Sequence, residues 1–166
     1  MFGDAVFSRI SVILNDAFSI LYCKTNFIEK MKTLLWLDDL RDPYKGDCLK
    51  NCKFAQDYRH ALNLAWIKNY EDFVDYIHCN PLPDFISFDH DLGDIDPVTY
   101  KEYSGYDCAK FLCEWCMNTK QKLPKYEIHS MNPVGADNIN GIMNSFLKCS
   151  LWNGGTDLGK ADLFLV

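Results

Sequence analysis

Three apolar runs in this chain each stop at a cluster of ionisable residues. Leu34-Leu35-Trp36-Leu37 leads into Asp38-Asp39, Asp84-Phe85-Ile86-Ser87-Phe88 into Asp89-His90-Asp91, and Tyr126-Glu127-Ile128 into His129-Ser130. A short, nearly unbroken apolar run predicts a strand buried on both faces, the pattern of a parallel sheet. A further strand is predicted over Leu62 to Lys68, and helices over Tyr70 to His78, Gly105 to Thr119 and Ala136 to Cys149. The order β, gap, β, α, β, α, β, α implies α/β architecture with crossover helices. In open sheets of this kind ligands bind outside the carboxyl ends of the strands, so all three clusters are expected on one edge. Arg41 and Asn132 fall within reach of it.

Local signals support these elements. Asn69 suits the N-cap of the helix that follows, and Glu71 and Asp72 favour its first turn. Asn80-Pro81-Leu82-Pro83 ends that helix. Residues 43–60 are polar and irregular and carry no clear assignment, and an Asp- and Gly-rich loop is expected after Gly93. Phe2, Val6, Ile10, Ile13, Leu14, Ala17 and Leu21 recur at helical spacing, which predicts an amphipathic helix in an extension over residues 1–30. The compact domain is expected over 31–150, followed by a tail over 151–166 with a hairpin around Asn153-Gly154-Gly155.

Composition narrows the function classes. A net charge of −6 argues against duplex DNA as a partner, because a phosphate backbone calls for clustered Lys and Arg. The 8 cysteines stand mostly among apolar residues of a chain that is 48% hydrophobic, so they are read as reduced thiols. Zinc on Cys113 and Cys116 with Cys48 and Cys52 is disfavoured, since Cys116 belongs to the apolar stripe of a helix. No run is apolar enough to span a membrane and no signal layout precedes the domain, so a cytoplasmic location is expected.

Asp and Asn commonly follow strands merely to start turns and cap helices. Three clusters that converge carry more weight than one. Asp38, Asp39, Asp89 and Asp91 would lie close together, and such carboxylates need protonation or a cation between them. Hard divalent cations prefer carboxylate oxygen, so Mg²⁺ or Mn²⁺ is the expected cofactor on these four residues. In an extended chain Asp89 and Asp91 point one way and His90 the other. His90 and His129 suit proton transfer near neutral pH, whereas His60 and His78 stand in ordinary surface contexts.

Four stretches together are distinctive: Leu35-Trp36-Leu37-Asp38-Asp39-Leu40-Arg41-Asp42-Pro43, Ile86-Ser87-Phe88-Asp89-His90-Asp91-Leu92-Gly93, Ser104-Gly105-Tyr106-Asp107 and His129-Ser130-Met131-Asn132-Pro133-Val134-Gly135. In this order they resemble the cyclic-phosphate processing receiver domains of bacteria and phages, over about Leu34 to Cys149. The resemblance implies a receiver-like (flavodoxin-like) three-layer α/β/α fold. The parent receiver fold of two-component signalling has an acidic pair ending its first strand, matched by Asp38 and Asp39. Its phosphoacceptor aspartate is matched by Asp89 and its hydroxyl residue by Ser130. Its strand-five lysine has no convincing equivalent, since Lys160 follows Gly159 and no apolar strand. His90, Asp91 and His129 are additional ionisable groups, which favours hydrolysis over reversible aspartyl phosphorylation.

The expectation is a phosphoric ester hydrolase acting on a 2′,3′-cyclic RNA end or a small cyclic nucleotide. His90 and His129 would be base and acid, with Asp89 and Ser130 beside them in the catalytic set. Arg41, Ser130 and Asn132 would donate to phosphate oxygens. A metal-free version with the histidines alone fits nearly as well. The alternatives are a non-catalytic or phospho-accepting receiver-like module, and an interaction protein that docks through its N-terminal helix.

Overall fold

Strand β1, Lys32–Leu37, explains most of the architecture. Leu34, Leu35, Trp36 and Leu37 are all buried, so the strand has a covered layer on each side. The computed structural model describes residues 31–152. The chain divides between Met31 and Lys32 into two units, and the four-stranded sheet belongs to the second. The helix expected within residues 1–30, the hairpin at Asn153-Gly154-Gly155 and Lys160 lie outside the described residues.

The other strands are β2 Leu62–Ile67, β3 Phe85–Phe88, β4 Asp94–Ile95, β5 Glu102–Tyr103 and β6 Lys125–Ile128. The helices are α1 Lys53–Asp57, α2 Tyr70–Cys79, α3 Gly105–Thr119 and α4 Pro133–Trp152. Four strands pair in the order β2-β1-β3-β6, all parallel. This is the expected receiver-like α/β sheet. The chain leaves β1 toward one edge and β3 toward the other, so a crevice opens above the junction of these two strands.

Alternation along the strands divides the core. Leu35, Leu37, Ile86 and Phe88 meet Phe73 and Ile77 of α2, Leu112 of α3, and Ile139 and Met143 of α4. Leu34 and Trp36 face the other way and meet Cys52 and Ala55. That second layer is built by residues 43–60, which the sequence left unassigned. They form a 3-10 turn at Cys48–Lys50 and the short α1. Neither has a strong helical period, and their place is set by the apolar face they cover.

The helix starts follow local chemistry. Asn69 accepts the N–H of Asp72 at 2.7 Å, as the sequence predicts. Asp107 accepts the N–H of Ser104 at 3.0 Å, which ties off the start of α3. Helix α4 begins at Pro133, three residues before the expected start. Asn132 Oδ1 accepts the Gly135 N–H at 2.9 Å, and a proline in the first helical position loses no bond. The loop expected after Gly93 instead contains the antiparallel β4–β5 hairpin. Asp96 turns its tip by accepting the N–H groups of Val98 and Thr99.

Candidate functional site

Strand register builds the site. Leu37 pairs with Phe88, and Phe88 with Ile128. Asp38, Asp89 and His129 are the next residues on three adjacent parallel strands, so they arrive at one level. Backbone bonds carry the ladder one step further, with Asp89 N–H on Leu37 carbonyl and His129 N–H on Phe88 carbonyl, both at 2.9 Å.

Asp38 is fully buried. Its Oδ1 accepts the N–H groups of Leu40 (3.0 Å) and Arg41 (2.6 Å), an Asx turn that folds the chain back over the strand end. Its Oδ2 faces Arg41 Nε at 2.5 Å and His129 Nε2 at 3.0 Å. Burial by itself would raise this carboxyl, but the bonds from His129 and from the Arg41 and Leu40 backbone, with the Arg41 charge, hold it below its ordinary value.

Arg41 ties the strand ends together. Besides Asp38, its Nη2 reaches Asp89 Oδ2 at 2.7 Å and its Nη1 donates to the His129 carbonyl at 3.0 Å. The other oxygen of Asp89 accepts the His90 N–H at 2.8 Å. The guanidinium thus lies between two of the clustered carboxylates, Asp38 and Asp89. Asp39 makes no ion pair with it. Burial pushes Asp39 up, and the charges of Asp38 and Asp89 push in the same direction.

His129 lies between two sets of contacts. Its ring stacks on Trp36, centroids 4.0 Å apart. Its Nδ1 is 2.7 Å from Ser87 Oγ, and Ser87 donates to Glu127 at 2.8 Å. His90 is held differently. Its Nδ1 is 2.8 Å from Asp91 Oδ1, and Asn132 Nδ2 donates to the same Asp91 oxygen at 3.1 Å. Those two bonds, His90 first, hold Asp91 below its ordinary value. A Cβ on Gly135 would come within 2.2 Å of the His90 ring, so glycine is what lets α4 seat that imidazole. A Cβ on Gly105 would lie 1.8 Å from the Asp89 carbonyl oxygen, so α3 can start against this strand end only with glycine there.

A family model for the cyclic-phosphate processing receiver domain matches residues 33–145. The chain belongs to that family. Nothing among the curated proteins matches this receiver domain. One solved structure, described as yeast Spc42 trimeric coiled-coil amino acids 181–211 fused to another structure, is similar at 15% identity. The similarity covers 74% of this chain and 78% of that one, with a TM-score of 0.42.

The receiver domain brings together Asp38, Asp39, Asp89, Arg41 and His129 at the strand ends, while His90, Asp91 and Asn132 form a second group beside them. Two expectations change. The alternation of Asp89, His90 and Asp91 does not hold, because β3 ends at Phe88 and the chain has left the strand before Asp91. Asp91 therefore lies beside His90, and the carboxylates that gather are three, Asp38, Asp39 and Asp89, with oxygens within 4.8 Å of one another. Arg41 faces Asp38 and Asp89 with two of its N–H groups and the His129 carbonyl with a third. Ser130 Oγ accepts the Asn132 N–H at 3.2 Å and so serves the turn.

These carboxylates match a divalent cation in charge and spacing, but Asp38 has no lone pair free for it. Both oxygens of Asp38 already have two donors each, and Arg41 bridges Asp38 and Asp89. The donor set as arranged does not fit the cation. The cysteines that a zinc site would need are split, with Cys113 and Cys116 in one core cluster and Cys48 and Cys52 in the other.

Sequence reasoning missed Trp36, Ser87, Glu127, Gly105 and Gly135. Ser87 and Glu127 carried a signal, since each is a polar residue inside an apolar strand.

Proposed function

We propose that this receiver domain hydrolyses a cyclic phosphate ester, either a 2′,3′-cyclic RNA end or a small cyclic nucleotide. The observation that carries the reading is the pairing of His90 with Asp91. A carboxylate on Nδ1 holds a proton there and leaves Nε2 as the basic nitrogen, the arrangement that makes an imidazole a general base. Gly135 and Asn132 fix the pair in place.

His90 takes a proton from water as the oxygen–phosphorus bond forms. The bond from phosphorus to one ribose oxygen breaks, and that oxygen takes a proton from His129. Arg41 offsets the carboxylate charge that would repel an anionic ester. A guanidinium has five N–H groups and three are engaged, which leaves two to donate to phosphate oxygens. No step in this scheme runs through a metal.

The test incubates purified protein with 2′,3′-cyclic nucleotides and a cyclic-phosphate-ended RNA oligomer, beside His90→Ala and Asp91→Asn. A general base contributes about 10²–10⁴-fold, so His90→Ala is expected to lose at least about 100-fold in kcat while staying folded. Absence of turnover in folded wild type would remove the hydrolase reading for these substrates.

One observation favours a second reading, a receiver-like module that binds a ligand without turnover. Leu40, Met131 and Val134 stand on the same edge at 82%, 89% and 68% exposure, a rim more apolar than a small phosphate ester needs. Saturable nucleotide binding with no product would support it. Phosphate transfer to Asp89 is the weaker form, because both of its oxygens are already engaged.

A further inference from the structure

Arg41 is placed by its own turn. Asp38 Oδ1 accepts the N–H groups of Leu40 and Arg41, and this returns the side chain of Arg41 over the carboxylate three residues before it. The guanidinium then meets three acceptors on three strand ends: Asp38 Oδ2, Asp89 Oδ2 and the His129 carbonyl. A planar fork with fixed donors suits three divergent acceptors, whereas an ammonium is a point charge. The three carboxylates would otherwise form a hard-cation site by charge and spacing.

We infer that Arg41 is the built-in counter-ion of this site, standing where a divalent cation would go, so that the domain takes no divalent cation while Arg41 is in place. Two physical reasons support it. A cation on Asp89 would sit beside a guanidinium already 2.7 Å from that carboxylate, and like charges at such range repel. Asp38 could contribute only by giving up donors that already fill both its oxygens. Of the three, Asp39 alone stands outside the Arg41 bridge, and one carboxylate is a poor ligand set for a hard cation. This inference concerns cation binding and stands apart from the catalytic reading, which turnover tests.

The experiment titrates Mn²⁺ into the full chain and follows the paramagnetic resonance of free Mn²⁺, with amide broadening around Leu40, Asp89 and His90 by NMR. Wild type is compared with Arg41→Met and with Arg41→Met/Asp39→Asn. Arg41→Met is expected to bind Mn²⁺ at least about tenfold more tightly than wild type, with broadening at those amides. The double variant is expected to lose that gain. Wild type that binds within tenfold of Arg41→Met overturns the inference, as does Arg41→Met that binds no better than wild type. Should Arg41→Met not fold, Arg41→Gln is read by the same criteria. Tight wild-type binding that broadens Asp89 overturns the inference without any variant.

Discussion

At the scale of single residues the site depends on two absent side chains. Gly135 has no Cβ where one would fall within 2.2 Å of the His90 ring. Gly135→Ala is expected to displace that ring and lower kcat/KM on a cyclic nucleotide by at least about tenfold, because small misplacements of catalytic groups cost rate steeply. The helix should survive, since alanine is a better helix former than glycine. Unchanged kcat/KM in the folded variant would show that the ring needs no such seat. Gly105 is a packing problem of another kind, because its neighbour is the Asp89 backbone, 1.8 Å from the built Cβ, and backbone yields little. Gly105→Ala is expected to cost about 1–3 kcal/mol, read from the urea midpoint. The half-buried chain Glu127–Ser87–His129–Asp38 is likewise assembled residue by residue, each link between 2.7 and 3.0 Å.

At the scale of elements, helix starts are where this fold handles both stability and chemistry. Asn132 caps α4 through Gly135 and also donates to Asp91. Asn132→Ala is expected to cost about 1 kcal/mol by loss of the cap, and Asn132→Ser to recover most of it. If activity falls in both variants while stability recovers in the second, the bond to Asp91 has a separate role in orienting His90. The β4–β5 hairpin is fixed by a stacked pair, Tyr70 on Tyr103 at 4.4 Å, and by the bond from Tyr70 N–H to Asp94. Its strands are only two residues long, so these anchors hold it more than its own ladder does.

At the scale of the whole molecule, acid and thiol chemistry report on packing. Burial alone would raise Asp107, but its bonds to Lys101 and Ser104 hold it below its ordinary value. A carboxyl depressed in the folded state stabilises above its unfolded pKa and loses that contribution as pH falls through the folded value. Wild type should therefore exceed Asp107→Asn in stability at neutral pH, and the gap should close as pH drops below about 3.9. A gap that persists at lower pH would exclude the charge as its source. Burial pushes Cys52 and Cys113 up to about 12 and Cys116 up to about 11. Cys79 and Cys149 are exposed. Among the described residues a thiol reagent should label those two in the native state, and the buried cysteines only after unfolding, as peptide mapping would read.

The sequence determined the four strands of the sheet, the three long helices and the edge at which its ionisable residues gather. An unbroken run such as Leu34 to Leu37 satisfies only a strand covered on both faces, and its alternation with helical segments leaves a parallel sheet as the solution. The matched positions follow from this, because each cluster stands directly after a strand. Residues 43–60 were not legible, since they fold on a surface that other elements create. The partners of each charge were not legible either. Asp89 and Asp91 differ in role because β3 ends at Phe88, and a strand end is a property of the sheet. Arg41 meets Asp89 and His129 across 48 and 88 residues of chain, contacts that exist only once the strands are in register. Local sequence placed the charges on one edge, and only the tertiary structure decided which of them neutralise one another and which remain available for chemistry.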